Sequence, residues 1–328
     1  MYLDFYQLRE YPFSLACDPR FLYFSGGHKE AMAGLLYGLR ERKGVALLLG
    51  EPGTGKTTLL KAVLQMLPGG IVAQTLDTPL HATPAEALRA ILAGYGLEAG
   101  EGLSAMQARL EQFLHERHQA GECVLLIIDE AQDLNPLVLE QVRLLTNLEA
   151  GGHKLLQIIL SGQPELAAHL RTANGRALHQ RVAVRCHLAA LSVEETRAYL
   201  SARLEQAGGR KPLFEGPAVE RIHALAHGVP RVINVVADHC LLAGFAAQAE
   251  VVSLPLVARA AARLDLGTPT GTPAEAPVAP PPAVPASTPA SMPVAAPLRT
   301  VVEALAGGRP PALQRFASGW ARWAGLGK

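Results

Sequence analysis

Two groups of residues in this chain have the types and spacing to handle a polyphosphate. The first is Gly50-Glu51-Pro52-Gly53-Thr54-Gly55-Lys56-Thr57, which fits the pattern G-x-x-x-x-G-K-[ST]. Its glycines let a loop curl until successive backbone N–H groups face phosphate oxygens. A helix starting at the loop's end adds the positive end of its dipole. Lys56 is expected to reach the β- and γ-phosphates and the Thr57 hydroxyl to ligate magnesium, with Thr58 beside them as a further nucleotide contact. The implied ligands are a nucleotide and Mg2+.

The second group is Asp129-Glu130, which ends the apolar run Val124-Leu125-Leu126-Ile127-Ile128. A parallel strand covered on both faces reads as such a run. At its end Asp129 would hold magnesium, mostly through water, and Glu130 would orient and polarise the attacking water. Loop and carboxylates together describe magnesium-dependent hydrolysis of a nucleoside triphosphate. After another apolar run, Leu155 to Leu160, a polar side chain would lie beside the γ-phosphate. Gln163 is the first choice for it and Ser161 the second.

These groups need a frame. Val45 to Leu49 reads as a strand before the loop, and Thr58 to Leu67 as a helix after it. Ile71 to Leu76, Leu155 to Leu160 and the alternation around Val182 to Arg185 add strands. Helices are expected over Glu30 to Arg42, from Thr83-Pro84, over Leu103 to Gln119 and over Leu139 to Leu148. From Ser192 the pattern is helical only. Ser192-Val193-Glu194-Glu195 caps Glu194 to Gln206, followed by Pro217 to Ala226, Arg231 to Ala247 and Leu254 to Leu264. The expected fold is α/β: a P-loop parallel sheet of about five strands with helices on both faces, then a C-terminal α-helical lid. The division read from the sequence is 1–28, an aromatic N-terminal segment; 29–190, the nucleotide-binding α/β domain; 191–266, the lid; 267–297, a Pro/Ala-rich linker; and 298–328, a basic amphipathic tail.

The opening segment holds Tyr2, Phe5, Tyr6, Tyr11, Phe13, Phe21, Tyr23 and Phe24. It is expected to cap the main domain by packing, with Asp18 to Phe24 also bordering an adenine, since aromatic faces stack on purines. Ten prolines in 267–297 preclude a core, and the linker could reach on the order of 90 Å. In the tail, Arg299, Arg309, Arg315, Arg322 and Lys328 flank Phe316, Trp320 and Trp323, so a short helix there could touch a partner or, weakly and reversibly, an anionic membrane surface. The formal net charge of +1 argues neither for nor against nucleic acid, and any basic surface would have to be local. Cys17, Cys123, Cys186 and Cys240 are scattered and read as small buried residues of a reducing compartment. No secretory leader and no membrane-spanning run is expected, which points to the cytoplasm. The pairs His115/His118 and His223/His227 lack a Cys or carboxylate partner that would make them metal sites.

With these residues in view the chain resembles AAA+ ATPases, and more narrowly the general secretion pathway protein A family. The resemblance covers about residues 3 to 265. It is carried by Phe5-Tyr6-Gln7-Leu8, Tyr11-Pro12-Phe13, Asp18 to Tyr23, the Gly50–Thr57 loop, Asp129-Glu130-Ala131-Gln132, Gly162-Gln163-Pro164-Glu165-Leu166 and Gly228-Val229-Pro230-Arg231-Val232-Ile233-Asn234. It implies that Gln163 (or Ser161) reads the γ-phosphate as sensor 1. It implies that Arg181 is an arginine finger inserted into a neighbouring copy's site, with Arg185 a rival, and that Arg231 reaches the nucleotide from the lid as sensor 2.

The resemblance further implies a homo-oligomer serving a secretion or envelope-assembly partner, cytoplasmic with a peripheral place at the inner membrane. That family commonly continues into a membrane span and a periplasmic region that binds peptidoglycan, where this sequence has a Pro/Ala linker and basic tail. Relatives of the module also serve transposition on DNA or exopolysaccharide export, so a DNA-acting ATPase is the alternative reading.

Overall fold

The computed structural model describes residues 2–77, 83–264 and 266. The expected linker and tail, 267–297 and 298–328, lie outside the described residues. The chain opens with helix α1 (Tyr2–Phe5), a 3-10 turn (Pro19–Phe21) and helix α2 (Gly26–Arg40). Then come β1 (Val45–Gly50), α3 (Lys56–Met66), β2 (Ile71–Asp77), α4 (Pro84–Gly94), α5 (Leu103–Gln119), β3 (Cys123–Asp129) and α6 (Pro136–Leu145). A small hairpin, β4 (Glu149–Ala150) and β5 (His153–Lys154), precedes β6 (Leu156–Gly162), α7 (Pro164–Arg171), α8 (Arg176–His179) and β7 (Val182–Leu188). The lid helices are α9 (Val193–Gln206), α10 (Gly216–Ala226), α11 (Pro230–Ala246) and α12 (Leu254–Arg263).

Five strands form one parallel sheet in the order β2-β3-β6-β1-β7. In β3, Val124, Leu126 and Ile128 join the core on one face, while Leu125 and Ile127 join the core on the other. Side chains alternate along a strand, so a run without polar residues must be covered twice. Helices α2 and α3 cover one face through Met32, Leu35, Leu59 and Val63. Helices α4 to α7 cover the other through Leu88, Ile91, Leu110, Val142 and Leu166. In sequence β2 separates the Gly50 loop from Asp129. In the sheet β6 lies between β1 and β3, and β2 is at the edge. Loop and carboxylates therefore meet across the end of β6.

Helix ends follow their caps. Thr83 and Glu86 form a capping box on α4, as do Ser192 and Glu195 on α9. The helix expected from Glu30 starts earlier, because the Ser25 hydroxyl accepts the His28 N–H. The helix expected from Leu139 starts at Pro136, where Asn135 Oδ1 accepts the Val138 N–H at 2.9 Å.

The aromatic segment does not simply cap the α/β layers as expected. Tyr2, Tyr6, Leu8, Phe13 and Phe21 are buried in the core of the lid, among Leu200, Leu204, Ile222, Val236 and Leu241. The Tyr2 hydroxyl donates to Asp238 at 2.5 Å and that of Tyr6 to the Ala249 carbonyl at 3.0 Å. Four short helices enclose little volume of their own, and the aromatic rings complete their core. The lid is thus assembled from both ends of the described chain.

Candidate functional site

The Gly50–Thr57 loop joins β1 to α3 at the C-terminal edge of the sheet. Gly53 and Gly55 have φ of 81° and 102°, left-handed values that a side chain would strain. A Cβ on Gly53 would also come within 2.6 Å of Arg231 Cβ. The lid touches the loop directly here: the Arg231 N–H donates to the Gly53 carbonyl at 3.2 Å.

Lys56 is buried, and its ammonium donates to the carbonyls of Gly50 at 2.7 Å and Glu51 at 3.2 Å. Burial pulls its pKa down, while the nearby Glu130 and Asp129 carboxylates support the charge. An ammonium held mainly by neutral carbonyls in a buried loop suits a phosphate. The Thr57 hydroxyl donates to Asp129 Oδ2 at 2.7 Å, and Asp129 Oδ1 accepts the Glu130 N–H at 3.0 Å. Hydroxyl and carboxylate are the hard oxygen donors magnesium takes, so the residues fit that ion.

The loop opens into a cleft of about 330 Å³. One wall is Gly53 to Thr58 with Glu130; another is Ser14 to Cys17 with Phe21, Leu22 and Tyr23; the lid supplies Leu191, Tyr199, Arg203, Pro230, Arg231 and Asn234. The size lies at the small end of the range for small-molecule sites, roughly 300–1,000 Å³. Of the residues singled out in the sequence, the cleft gathers Gly53, Thr54, Gly55, Lys56, Thr57, Thr58, Glu130 and Arg231. Glu51 and Pro52 are exposed on the loop's outer side. Gln163 is half-buried at the N-terminus of α7. Ser161 is fully buried on β6, and its hydroxyl is one of the buried polar atoms without a hydrogen-bond partner.

The two candidate fingers point elsewhere. Arg181 is half-buried, and its guanidinium donates to the Arg143 carbonyl at 2.9 Å and to Thr146 Oγ1 at the end of α6. Arg185 is exposed and donates to the His179 carbonyl at 3.3 Å. Burial, with Arg185 and Arg171 nearby, lowers the pKa of His179. Cys17 departs from expectation: it is exposed at the cleft, whereas Cys123, Cys186 and Cys240 are buried. Burial pushes the Cys186 thiol up to about 11 and that of Cys240 to about 12. His115 lies 4.0 Å from Glu111, His118 contacts Arg42 and His223 contacts Thr196. Among the described residues no three His, Cys, Asp or Glu converge as metal ligands, and no helix is long and apolar enough to cross a membrane.

Sequence reasoning missed several residues of the site. His28 is buried, with Nε2 at 3.2 Å from the Thr54 carbonyl and Nδ1 at 2.8 Å from Ser25 Oγ. A carbonyl only accepts, so Nε2 carries the proton and steadies the loop, while Nδ1 accepts from Ser25. Burial lowers the His28 pKa and keeps the ring neutral. Glu195 Oε1 accepts the Gly26 N–H at 3.1 Å, tying the lid to the start of α2. Arg203 donates to the carbonyls of Pro12 at 2.6 Å and Ser14 at 3.0 Å, and lies 4.7 Å from the Phe21 ring centroid. The hydroxyl of Tyr199 accepts from Arg203 at 3.3 Å and donates to Asn234 Oδ1 at 2.7 Å. The i, i+4 spacing of Tyr199 and Arg203 places both on one helix face, but nothing local marks that face as a cleft wall.

Known proteins can be set beside this geometry. A family model described as an AAA domain matches residues 39–170. The chain is 43% identical over 249 residues to general secretion pathway protein A of Aeromonas hydrophila, an alignment covering 75% of this chain and 45% of that protein. The chain therefore spans less than half the length of this curated relative. Among solved structures, Cdc6p from Pyrobaculum aerophilum superposes with a TM-score of 0.61 at 15% identity, covering 77% of this chain and 70% of that one. Aeropyrum pernix ORC2, solved as ADPNP–ADP complexes, gives 0.58 at 19% identity over 76% of this chain and 71% of that one. Aeropyrum pernix ORC1, solved with DNA, gives 0.56 at 18% identity over 74% and 67%. At such identities the structural likeness speaks for the fold alone: an AAA+ P-loop sheet with a helical lid. The sequence likeness bears out the resemblance to general secretion pathway protein A.

Proposed function

We propose that this chain binds ATP with magnesium and hydrolyses it. The observation that carries the reading is the Lys56 ammonium, buried within the Gly50 loop while Thr57 Oγ1 reaches Asp129. Gly50 to Thr58 cradle the phosphates. Arg231 approaches them from the lid, and Thr57 and Asp129 hold the metal. Bound magnesium would neutralise phosphate charge as the bond to the leaving group breaks. Glu130 orients the attacking water. Gln163 or Ser161 senses the γ-phosphate, and the unpartnered hydroxyl of Ser161 keeps it in contention. The base rests between the Ser14–Tyr23 segment and the Tyr199 face of the lid.

In this reading the chain works as a homo-oligomer. Arg181, or its rival Arg185, completes a neighbour's site. Arg181 is tied to its own α6 and must leave Thr146 to do so. The oligomer serves a secretion or envelope-assembly partner from the cytoplasm, peripheral to the inner membrane. The relative's name suggests secretion, and the 298–328 tail is the proposed membrane or partner contact. The second reading, a DNA-acting ATPase, draws on Arg171, Arg176 and Arg185, which are exposed.

Magnesium-dependent phosphate release by the purified chain, measured against protein concentration, tests both chemistry and assembly. The reading predicts specific activity that rises with concentration and is lost in Arg181→Ala with ATP still bound. Loss in Arg185→Ala alone reassigns the finger. Turnover stimulated by duplex DNA and suppressed by salt would favour the second reading.

A further inference from the structure

We infer that Gln132 is a positioning residue that couples the Glu130 carboxylate to the end of β6. The inference rests on the hydrolytic reading of Glu130 above. Glu130 has φ 49° and ψ 40°, a left-handed conformation uncommon for a residue with a side chain. The turn it begins, Ala131–Asp133, brings Gln132 back beside it. Gln132 Nε2 donates to Glu130 Oε2 at 2.9 Å and also lies 3.3 Å from Asp133 Oδ2. The other end of the same amide, Oε1, accepts the Gln163 N–H at 3.0 Å. Gly162 leaves room for this contact: a Cβ there would stand 2.8 Å from Gln132 Oε1.

One side chain thus spans the ends of two neighbouring strands, from the acid after β3 to the Gln163 backbone after β6. An amide suits the task because it donates at one end and accepts at the other. A carboxylate could keep the Gln163 contact but has no donor for Glu130. A methionine could keep neither. A shift of the β6 end, where Gln163 and Ser161 lie, is passed through Gln132 to the direction in which Glu130 points. Sensing at β6 and water activation at β3 become one motion.

The test uses the full chain with magnesium and ATP. Gln132→Met removes both hydrogen bonds at similar volume, and Gln132→Glu keeps an acceptor for the Gln163 N–H but replaces the donation to Glu130 with like-charge repulsion. Both should lower kcat about 10- to 100-fold, as expected for a misplaced catalytic group. Affinity for a non-hydrolysable ATP analogue should stay within about threefold. In a Glu130→Gln background, Gln132→Met should cost at most about twofold more, because the carboxylate it directs is gone. A fall in analogue affinity that matches the fall in kcat, or additive losses in the double variant, would mean a purely structural role and overturn the inference. So would wild-type kcat in both Gln132 variants when Glu130→Gln is inactive. If Glu130→Gln itself turns over normally, the hydrolytic reading fails and this inference with it.

Discussion

The two walls of the cleft are built differently. On the sheet side, the facing groups come from short contiguous segments at strand ends: Gly50 to Thr58 after β1, and Asp129-Glu130 after β3. On the lid side they come from distant parts of the chain, with Ser14 to Tyr23 held against Tyr199, Arg203 and Asn234. The sheet wall stands on strand ends whose sheet is covered by apolar cores on both faces. The lid wall is held by an apolar core that Phe13 and Phe21 share with Tyr199 and Leu200, and by the long-range hydrogen bonds of Arg203 and Tyr199. The lid meets the α/β layers at the Arg231 amide on the Gly53 carbonyl and at the Glu195 carboxylate on the Gly26 amide, and Lys61 of α3 donates to the Cys17 carbonyl at 3.4 Å. The proposed chemistry thus draws on the sheet wall, and the proposed contacts to the base draw on the lid wall.

That contrast can be broken one wall at a time. On the sheet side, Lys56→Ala should weaken ATP binding about 100-fold, roughly 2.7 kcal/mol, the largest loss of affinity of any of these variants. Equilibrium titration with a fluorescent analogue reads it. On the lid side, Arg203→Met leaves the Pro12 and Ser14 carbonyls without their donor. It should cost about 1–3 kcal/mol of stability together with nucleotide affinity, read by urea unfolding with and without ATP. A loss of affinity with no loss of stability would show that the lid wall is not held by this arginine.

Ser192→Ala removes the α9 cap and should cost about 1 kcal/mol. Its effect should fall on the lid, seen as faster amide exchange in α9 than in β3. The smallest effect concerns pH. Burial sets the folded pKa of His28 below its ordinary value of 6.5. The contribution is therefore complete above about pH 6.5 and is lost as pH falls towards the folded value, because the unfolded chain takes up the proton first. His28→Gln should flatten the decline in melting temperature between about pH 7 and pH 5. An unchanged slope would place the pH response elsewhere.

Legibility in the sequence follows the same division. Gly50 to Thr57 and Asp129-Glu130 could be read because each is a local pattern with a strand beside it. The caps at Thr83 and Ser192 were readable for the same reason. Strand order was not, since the place of β6 between β1 and β3 depends on how helices pack over both faces. Nor could the fate of the aromatic opening be read. Hydrophobic residues announce burial but not the surface they will cover, and Tyr2 finds Asp238 across almost the whole described chain. His28 and Arg203 left no trace, because a single His or Arg on a helix has ordinary surface uses until a tertiary partner meets it. Cys17 was misread as buried because composition speaks of cysteines in general and not of a cleft's rim.

The central claim is that Glu130 on the sheet wall activates water for ATP hydrolysis. Side-by-side measurement of ATP affinity and steady-state phosphate release for wild type and Glu130→Gln tests it most directly. The account predicts turnover lowered at least about 100-fold with affinity within about threefold. Wild-type turnover in Glu130→Gln would contradict it.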